Sequence, residues 1–256
     1  MKTSIGFIGG GRITKIFLQG FKNADFELES VKVFEPNNDT FEKLASIFPL
    51  VEKAETAEAA ASQAIVFVAV HPPVVMETLQ KVKDAITEST VVVSLAPKIT
   101  LEKMATVLPS KKLARMIPNA TSFINKGFNP VAFSAGFEGK EKKQLLKFLK
   151  ILGKTFETDE AKLEGYAIVS AMLPTYFWFQ WQEMENIAIE TGLSEKEAKK
   201  AVKQTLKKAL KLYYDSELAP VEVMDLIPVK PIGDNETEIK NILNTKLLGL
   251  FAKIKP

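Results

Sequence analysis

Nothing constrains the fold of this 256-residue chain more than its first fourteen residues. The run Ile5-Gly6-Phe7-Ile8 is apolar around a single glycine, as a parallel strand buried on both faces requires. From Ile13 the apolar positions change period. Ile13, Ile16, Phe17 and Phe21 recur every three or four residues, the spacing of an amphipathic helix. Gly9-Gly10-Gly11 joins the two segments. Glycine permits the tight turn from strand into helix, and its missing side chain lets a ligand approach the backbone. The start of a helix also collects unpaired N–H groups that carry positive partial charge. With a strand before it and a helix after it, Gly9-x-Gly11-x-x-Thr14 matches the dinucleotide-binding fingerprint, with Thr14 in place of the third glycine. A glycine-rich turn with no ligand is the plainer alternative.

The rest of the first half alternates strand and helix. Residues 30–35 read as a second strand, 40–48 as a helix, and 64–70 as a continuous apolar strand closed by His71-Pro72-Pro73. A helix over 74–86, a strand over 90–95, a short helix over 101–108 and a strand over 113–117 follow. Short strands at 131–134 and 155–157 complete this half. Such alternation predicts a doubly wound, mainly parallel sheet. After residue 160 only helical patterns remain. A long helix over 161–191 is kinked by Pro174, and Ser194 with Glu197 forms a capping box that opens a helix to about Ser216. A loop containing Pro220, Pro228, Pro231 and Gly233 leads to a last helix over 236–254. The expected fold is therefore α/β, with a Rossmann domain over residues 1–160 and an all-α domain over residues 161–256.

Composition removes several functions. The chain has no cysteine, so disulfides, thiolate metal sites and cysteine nucleophiles are excluded, and a single histidine leaves no histidine-built metal site. A net charge of +3 does not indicate nucleic acid. Lysines concentrate in 140–143 and again in 196–211, the second set at helical spacing, which reads as a solvated helix face. A basic surface for an anionic partner is the alternative. The apolar run 167–181 contains Pro174 and is flanked by Glu164 and Gln182-Glu183, so it reads as a buried helix and not a membrane span. Met1-Lys2-Thr3-Ser4 runs straight into the first strand, leaving no room for a signal peptide, and a cytoplasmic protein is expected.

In an open parallel sheet, ligands bind beyond the carboxyl ends of the strands. The candidate cofactor residues at those ends are Gly9, Gly10, Gly11, Arg12, Ile13, Glu35, Ala69, Val70, His71, Pro72 and Asn119. Glu35 closes the second strand, where a carboxylate accepts hydrogen bonds from a ribose 2′-OH and repels a 2′-phosphate; this favours NAD over NADP. Arg12 is placed to pair with a pyrophosphate or to stay solvated. His71 is placed to line the cofactor or to transfer a proton, and Asn119 to bond cofactor or substrate or to cap a turn.

These segments, in this order, resemble the pyrroline-5-carboxylate reductases and their relatives among the NAD(P)-dependent imine and 6-phosphogluconate-type dehydrogenases. The resemblance spans nearly the whole chain. It rests on Ile5-Gly6-Phe7-Ile8-Gly9-Gly10-Gly11, on Phe67-Val68-Ala69-Val70-His71-Pro72 (with His71 where the family usually has lysine) and on Val93-Ser94-Leu95-Ala96. It continues in Arg115-Met116-Ile117-Pro118-Asn119, Lys126-Gly127, Thr191-Gly192-Leu193-Ser194 and Gln204-Thr205. It implies an NAD or NADP cofactor, a small-molecule substrate, a place in proline biosynthesis and a homodimer built by interleaved C-terminal helices. No nucleic-acid or membrane partner is implied.

Three stretches depart from the family. Its Ser-Gly-Ser-Gly-Pro turn is here Ser170-Ala171-Met172-Leu173-Pro174, and its Ala-Ala-Gly turn is Ala96-Pro97-Lys98. Its Ser-Pro-Gly-Gly-Thr-Thr loop, which holds the substrate carboxylate and imine, is here Pro228-Val229-Lys230-Pro231-Ile232-Gly233-Asp234, without threonine. His71 and Lys230 are the candidate catalytic groups, and Lys98 or Lys230 could pair with a substrate anion in place of the lost backbone donors; an ordinary surface lysine is the plainer reading of each. The reading is thus a reductase acting on a small cyclic imine. The alternatives are a relative acting on another imine or carbonyl, or a nucleotide-binding protein without turnover.

Overall fold

The computed structural model describes residues 3–256. Strand and helix alternate through β1 (Ser4–Ile8), α1 (Arg12–Asn23), β2 (Ser30–Phe34), α2 (Asn38–Ile47), β3 (Val51–Lys53), α3 (Ala57–Ala61), β4 (Ile65–Val68), α4 (Pro72–Val82) and β5 (Val91–Ser94). The series continues with α5 (Leu101–Ala105), β6 (Leu113–Met116), β7 (Gly127–Phe133), α6 (Gly139–Leu149) and β8 (Gly153–Glu157). Helices alone follow: α7 (Leu163–Tyr166), α8 (Leu173–Glu190), α9 (Glu195–Asp215), α10 (Pro220–Asp225) and α11 (Glu236–Ile254). A doubly wound sheet followed by helices is the arrangement the sequence predicts.

The eight strands form one sheet in the order β3-β2-β1-β4-β5-β6-β7-β8. Strand order reverses across β1 and β4, whose residues pair in parallel as Ile5 with Ile65 and Phe7 with Phe67. Every pairing is parallel except β6 with β7. β4 is buried at all four positions because helices cover both faces, and this is why it reads as an unbroken apolar run.

The chain forms two compact units: residues up to 171 with 251–256, and residues 172–250. The core of the first is aromatic. Phe7 stacks on Phe67 at 4.9 Å, Phe17 meets Phe67 edge-on at 5.4 Å, and Phe21 stacks on Phe148 at 5.0 Å. Phe17 and Phe21 belong to α1, so these contacts tie that helix to β4 of the sheet and to α6. Burial of each ring contributes about 1.5–3 kcal/mol. In the second unit α8 packs on α9, and Ser194 opens α9 with the expected capping box, its N–H donating to Glu197 Oε2 at 2.9 Å. Among the described residues of α8 to α11, only Ala198 is buried.

Several elements differ from the sequence reading. The single kinked helix over 161–191 is a succession: a 3₁₀ turn (Glu160–Lys162), α7, a π-helical turn (Ala167–Ala171) and then α8. Pro174 sits in the first turn of α8, where its missing N–H breaks no helical bond. The supposed loop around Pro220 holds α10, with that proline again in the first turn. β3, α3 and α6 occupy stretches where no element was expected.

Candidate functional site

The turn after β1 is tied down from three sides. The Gly9 N–H donates to the Phe34 carbonyl at 2.8 Å, and the Ala69 N–H donates to the Ile8 carbonyl at 2.8 Å. Gly9 has φ +108°, and a Cβ there would stand 2.6 Å from the Ala69 carbonyl oxygen, so only glycine fits. Thr14, fully buried, donates its Oγ1 proton to the Gly9 carbonyl at 2.6 Å. The residue that replaces the third glycine thereby locks the turn to the first turn of α1. Gly11 caps α1 without any side-chain acceptor, no acidic residue lies in the first turn, and the space where a Gly11 side chain would stand is open. The positive end of the α1 dipole therefore faces a free approach.

Glu35 follows β2 and is held by two backbone amides. Its Oε2 accepts from Gly10 N–H at 2.9 Å and its Oε1 from Asn37 N–H at 3.0 Å. The carboxylate thus bridges the glycine turn to the start of α2, where the Asn37 side chain caps the helix through Thr40 N–H.

Two cavities meet at this turn. One, of about 710 Å³, lies along Gly10 to Ile13, Ala69 to Pro72, Ala96 and Pro97. The other, of about 610 Å³, runs past Gly9, Glu35 and Pro36 to Lys81. Gly11, Ala69, Val70 and His71 border both, so the two form one groove across the carboxyl ends of β1 and β4. The hydrogen bond that Lys81 Nζ donates to Glu77 Oε1 at 2.8 Å raises the Lys81 pKa, with the Glu77 charge adding to the effect. The His71 ring is exposed at the N-terminus of α4 and makes no capping bond, while its carbonyl accepts from Val74 N–H at 3.1 Å.

Ten of the candidate residues, Gly9 to Ile13, Glu35 and Ala69 to Pro72, are brought together here. Asn119 lines neither cavity. Its Oδ1 accepts from the Thr121 N–H and hydroxyl, and its Nδ2 donates to the carbonyl and hydroxyl of Ser170. It caps the 3₁₀ turn Ala120–Ile124, the turn-capping alternative left open by the sequence. Lys230 is exposed in the second unit, in a turn closed by Gly233 N–H donating to its carbonyl at 2.9 Å. Lys98 is exposed, with φ +78°, a backbone region that favours glycine.

One cluster escaped the sequence reading. Arg115 of β6 is wholly buried and donates to Glu160 at 2.8 Å and to Glu164. The signals were an arginine inside an apolar strand and two glutamates one helical turn apart. Among the described residues, no group of three or more His, Cys, Asp or Glu side chains could hold a metal ion, and no helix is long and apolar enough to cross a membrane.

A family described as "NADP oxidoreductase coenzyme F420-dependent" matches residues 4–98, the segment that builds the glycine turn and the groove. A pyrroline-5-carboxylate reductase of Escherichia coli is 26% identical over 230 residues, 89% of this chain and 85% of the relative. One of Pseudomonas aeruginosa is 24% identical over 239 residues, 93% of this chain and 87% of the relative. Among solved structures, a Plasmodium falciparum pyrroline carboxylate reductase with NADP bound superposes with a TM-score of 0.82 at 19% identity, covering 99% of this chain and 97% of that one. A Coxiella burnetii pyrroline-5-carboxylate reductase gives 0.70 at 22% identity, covering 99% and 95%. The resemblance read from the motifs therefore extends over both units.

Proposed function

We propose that this chain is an NAD(P)-dependent reductase that transfers hydride to the C=N bond of a small cyclic imine such as 1-pyrroline-5-carboxylate, a reaction of proline biosynthesis. The observation that carries the proposal is the uncapped N-terminus of α1 beside Gly9, opening into a groove at the point where strand order reverses. It stands in a chain whose relatives over most of its length are reductases of that name.

The residues present fit a nicotinamide dinucleotide. The open space at Gly11 leaves room for a pyrophosphate against the backbone, with the α1 dipole and Arg12 supplying positive charge. Glu35, already fixed by Gly10 and Asn37, would accept from the adenosine ribose 2′-OH. Its charge opposes a 2′-phosphate, so NAD is the favoured form. Ala69 to Pro72 would wall the groove where it crosses β4. The cofactor, when bound, supplies the hydride. The chain's part is to orient it and to deliver a proton to the imine nitrogen, so that hydride addition at the carbon yields the secondary amine. His71, exposed at the groove, and Lys230, in the family's substrate loop, are the candidates for that proton.

The apolar side chains of α8 to α11 support a homodimer through these helices. Phe179 is 67% exposed and Tyr214 74% exposed within one chain. Our reading assigns the cofactor to residues 1–160 and the substrate and pairing surfaces to residues 161–256, in a cytoplasmic protein. The altered Pro228–Asp234 stretch, without threonine, favours a second reading: cofactor binding without turnover. Oxidation of NADH by the purified chain in the presence of 1-pyrroline-5-carboxylate separates the two. Imine-dependent turnover is expected. NADH binding without turnover on any of a panel of cyclic imines and keto acids would replace the enzyme with a binding protein.

A further inference from the structure

The buried charge cluster beside the groove takes no part in the function proposed above. Arg115 has a fully buried side chain, and an arginine cannot shed its proton in a protein, so its charge has to be matched in place. Glu160 and Glu164 accept from its Nη1 and Nη2. Each carboxylate also holds backbone from the segment that follows β5. Glu160 Oε1 accepts from Leu101 N–H at 2.7 Å, and Glu164 Oε1 accepts from Lys98 N–H at 3.0 Å. The second bond falls on a strained residue, since Lys98 sits at φ +78° without being glycine. Ala96 and Pro97, the two residues before it, line the larger cavity together with Gly10 and Gly11.

We infer that Arg115, Glu160 and Glu164 are positioning residues that fix the Ala96-Pro97-Lys98 turn as the wall against the nicotinamide half of the cofactor. The inference rests on the nucleotide reading of the groove. Glu35 places the adenosine over β2, and the α1 N-terminus places the pyrophosphate over β1. The remaining half then extends over β4 and β5, because the sheet runs β2-β1-β4-β5. The turn in question ends β5. Released by Glu164, Lys98 would relax out of the left-handed region and carry Pro97 away from the groove.

Two ligands separate positioning from general support: NADH, and ADP-ribose, which has the adenosine and pyrophosphate but no nicotinamide. The variant Glu164→Asp keeps a charge opposite Arg115 while drawing the carboxylate back from the Lys98 N–H. It should bind NADH about tenfold more weakly, the loss of one charge-assisted hydrogen bond. ADP-ribose should bind within about twofold of the unmodified chain, as expected of a site the change does not touch. Glu164→Gln should show the same split where it folds. Adding Lys98→Gly to Glu164→Asp should restore most of the NADH affinity, because glycine holds φ +78° without an anchor. Equal weakening of both ligands, no weakening of either, or no rescue by glycine would overturn the inference. An unmodified chain that binds neither ligand would instead defeat the nucleotide reading itself, and that titration is done first.

Discussion

The two units of this chain solve the burial problem differently. In the first, Phe7, Phe17, Phe21 and Phe67 are buried to within 2% exposure, and the sheet is covered on both faces by the unit's own helices. In the second, four helices bury only Ala198, while Phe179, Tyr214 and Ile227 are each two-thirds exposed or more. Exposed apolar area on this scale marks an interaction surface. The sheet unit carries its stability inside one chain. The helical unit leaves its apolar side chains uncovered within one chain, and the proposed homodimer would cover them.

The largest expected effect breaks this contrast where it is sharpest. Phe179→Glu places a charge on the most exposed aromatic of α8 and should cost about 3–4 kcal/mol of association, converting a dimer into monomers in sedimentation velocity. The unmodified chain should also melt at a temperature that rises with protein concentration. A variant with unchanged assembly would show that this face is not the pairing surface. Next comes the first unit, where strain acts within the chain. Gly9→Ala forces a Cβ to 2.6 Å from the Ala69 carbonyl at φ +108° and should cost about 2–3 kcal/mol at any protein concentration, with loss of NADH binding.

Smaller effects sharpen the comparison. Thr14→Val leaves the Gly9 carbonyl without its hydroxyl partner and should lower stability by about 1–2 kcal/mol in denaturant unfolding, again independent of concentration. Ser194→Ala removes the cap of α9 and should cost about 1 kcal/mol. This last effect depends on pH. Hydrogen bonds from Ser194 hold the Glu197 carboxyl below its ordinary pKa of 4.5, so its stabilising contribution is present above that value and is lost as pH falls through the lowered one. The difference between Ser194→Ala and the unmodified chain should therefore shrink in acid. A constant difference would remove Glu197 from the cap's account.

Much of this was legible in the residues, for identifiable reasons. β1 and β4 were readable because a strand buried on both faces must be apolar throughout, and α11 because its ends coincide with a change in pattern. β3 was not, since a three-residue edge strand, Val51-Glu52-Lys53, is charged at two of its three positions and borrows its structure from pairing with β2. The break-up of the expected 161–191 helix was hidden because the 3₁₀, α and π segments before α8 span 3, 4 and 5 residues, about one turn each, and a single turn is too short to reveal its period. At the groove, ten residues named from local signals line the two adjoining cavities. Asn119 followed Pro118 at a strand end just as a cofactor ligand would, yet its amide is spent on Thr121 and Ser170. The Arg115 cluster joins residues 45 and more positions apart in sequence, and no local pattern reports such a pairing.

The central claim is that the glycine turn and the uncapped α1 form a nicotinamide dinucleotide site that prefers a 2′-hydroxyl. Calorimetric titration of the purified chain with NADH and NADPH tests it directly. The account predicts saturable binding of one NADH per chain, with a dissociation constant in the range of about 1 μM to 1 mM, and weaker binding of NADPH. Absence of binding by both dinucleotides, or NADH binding that survives Gly9→Ala unchanged, would contradict it.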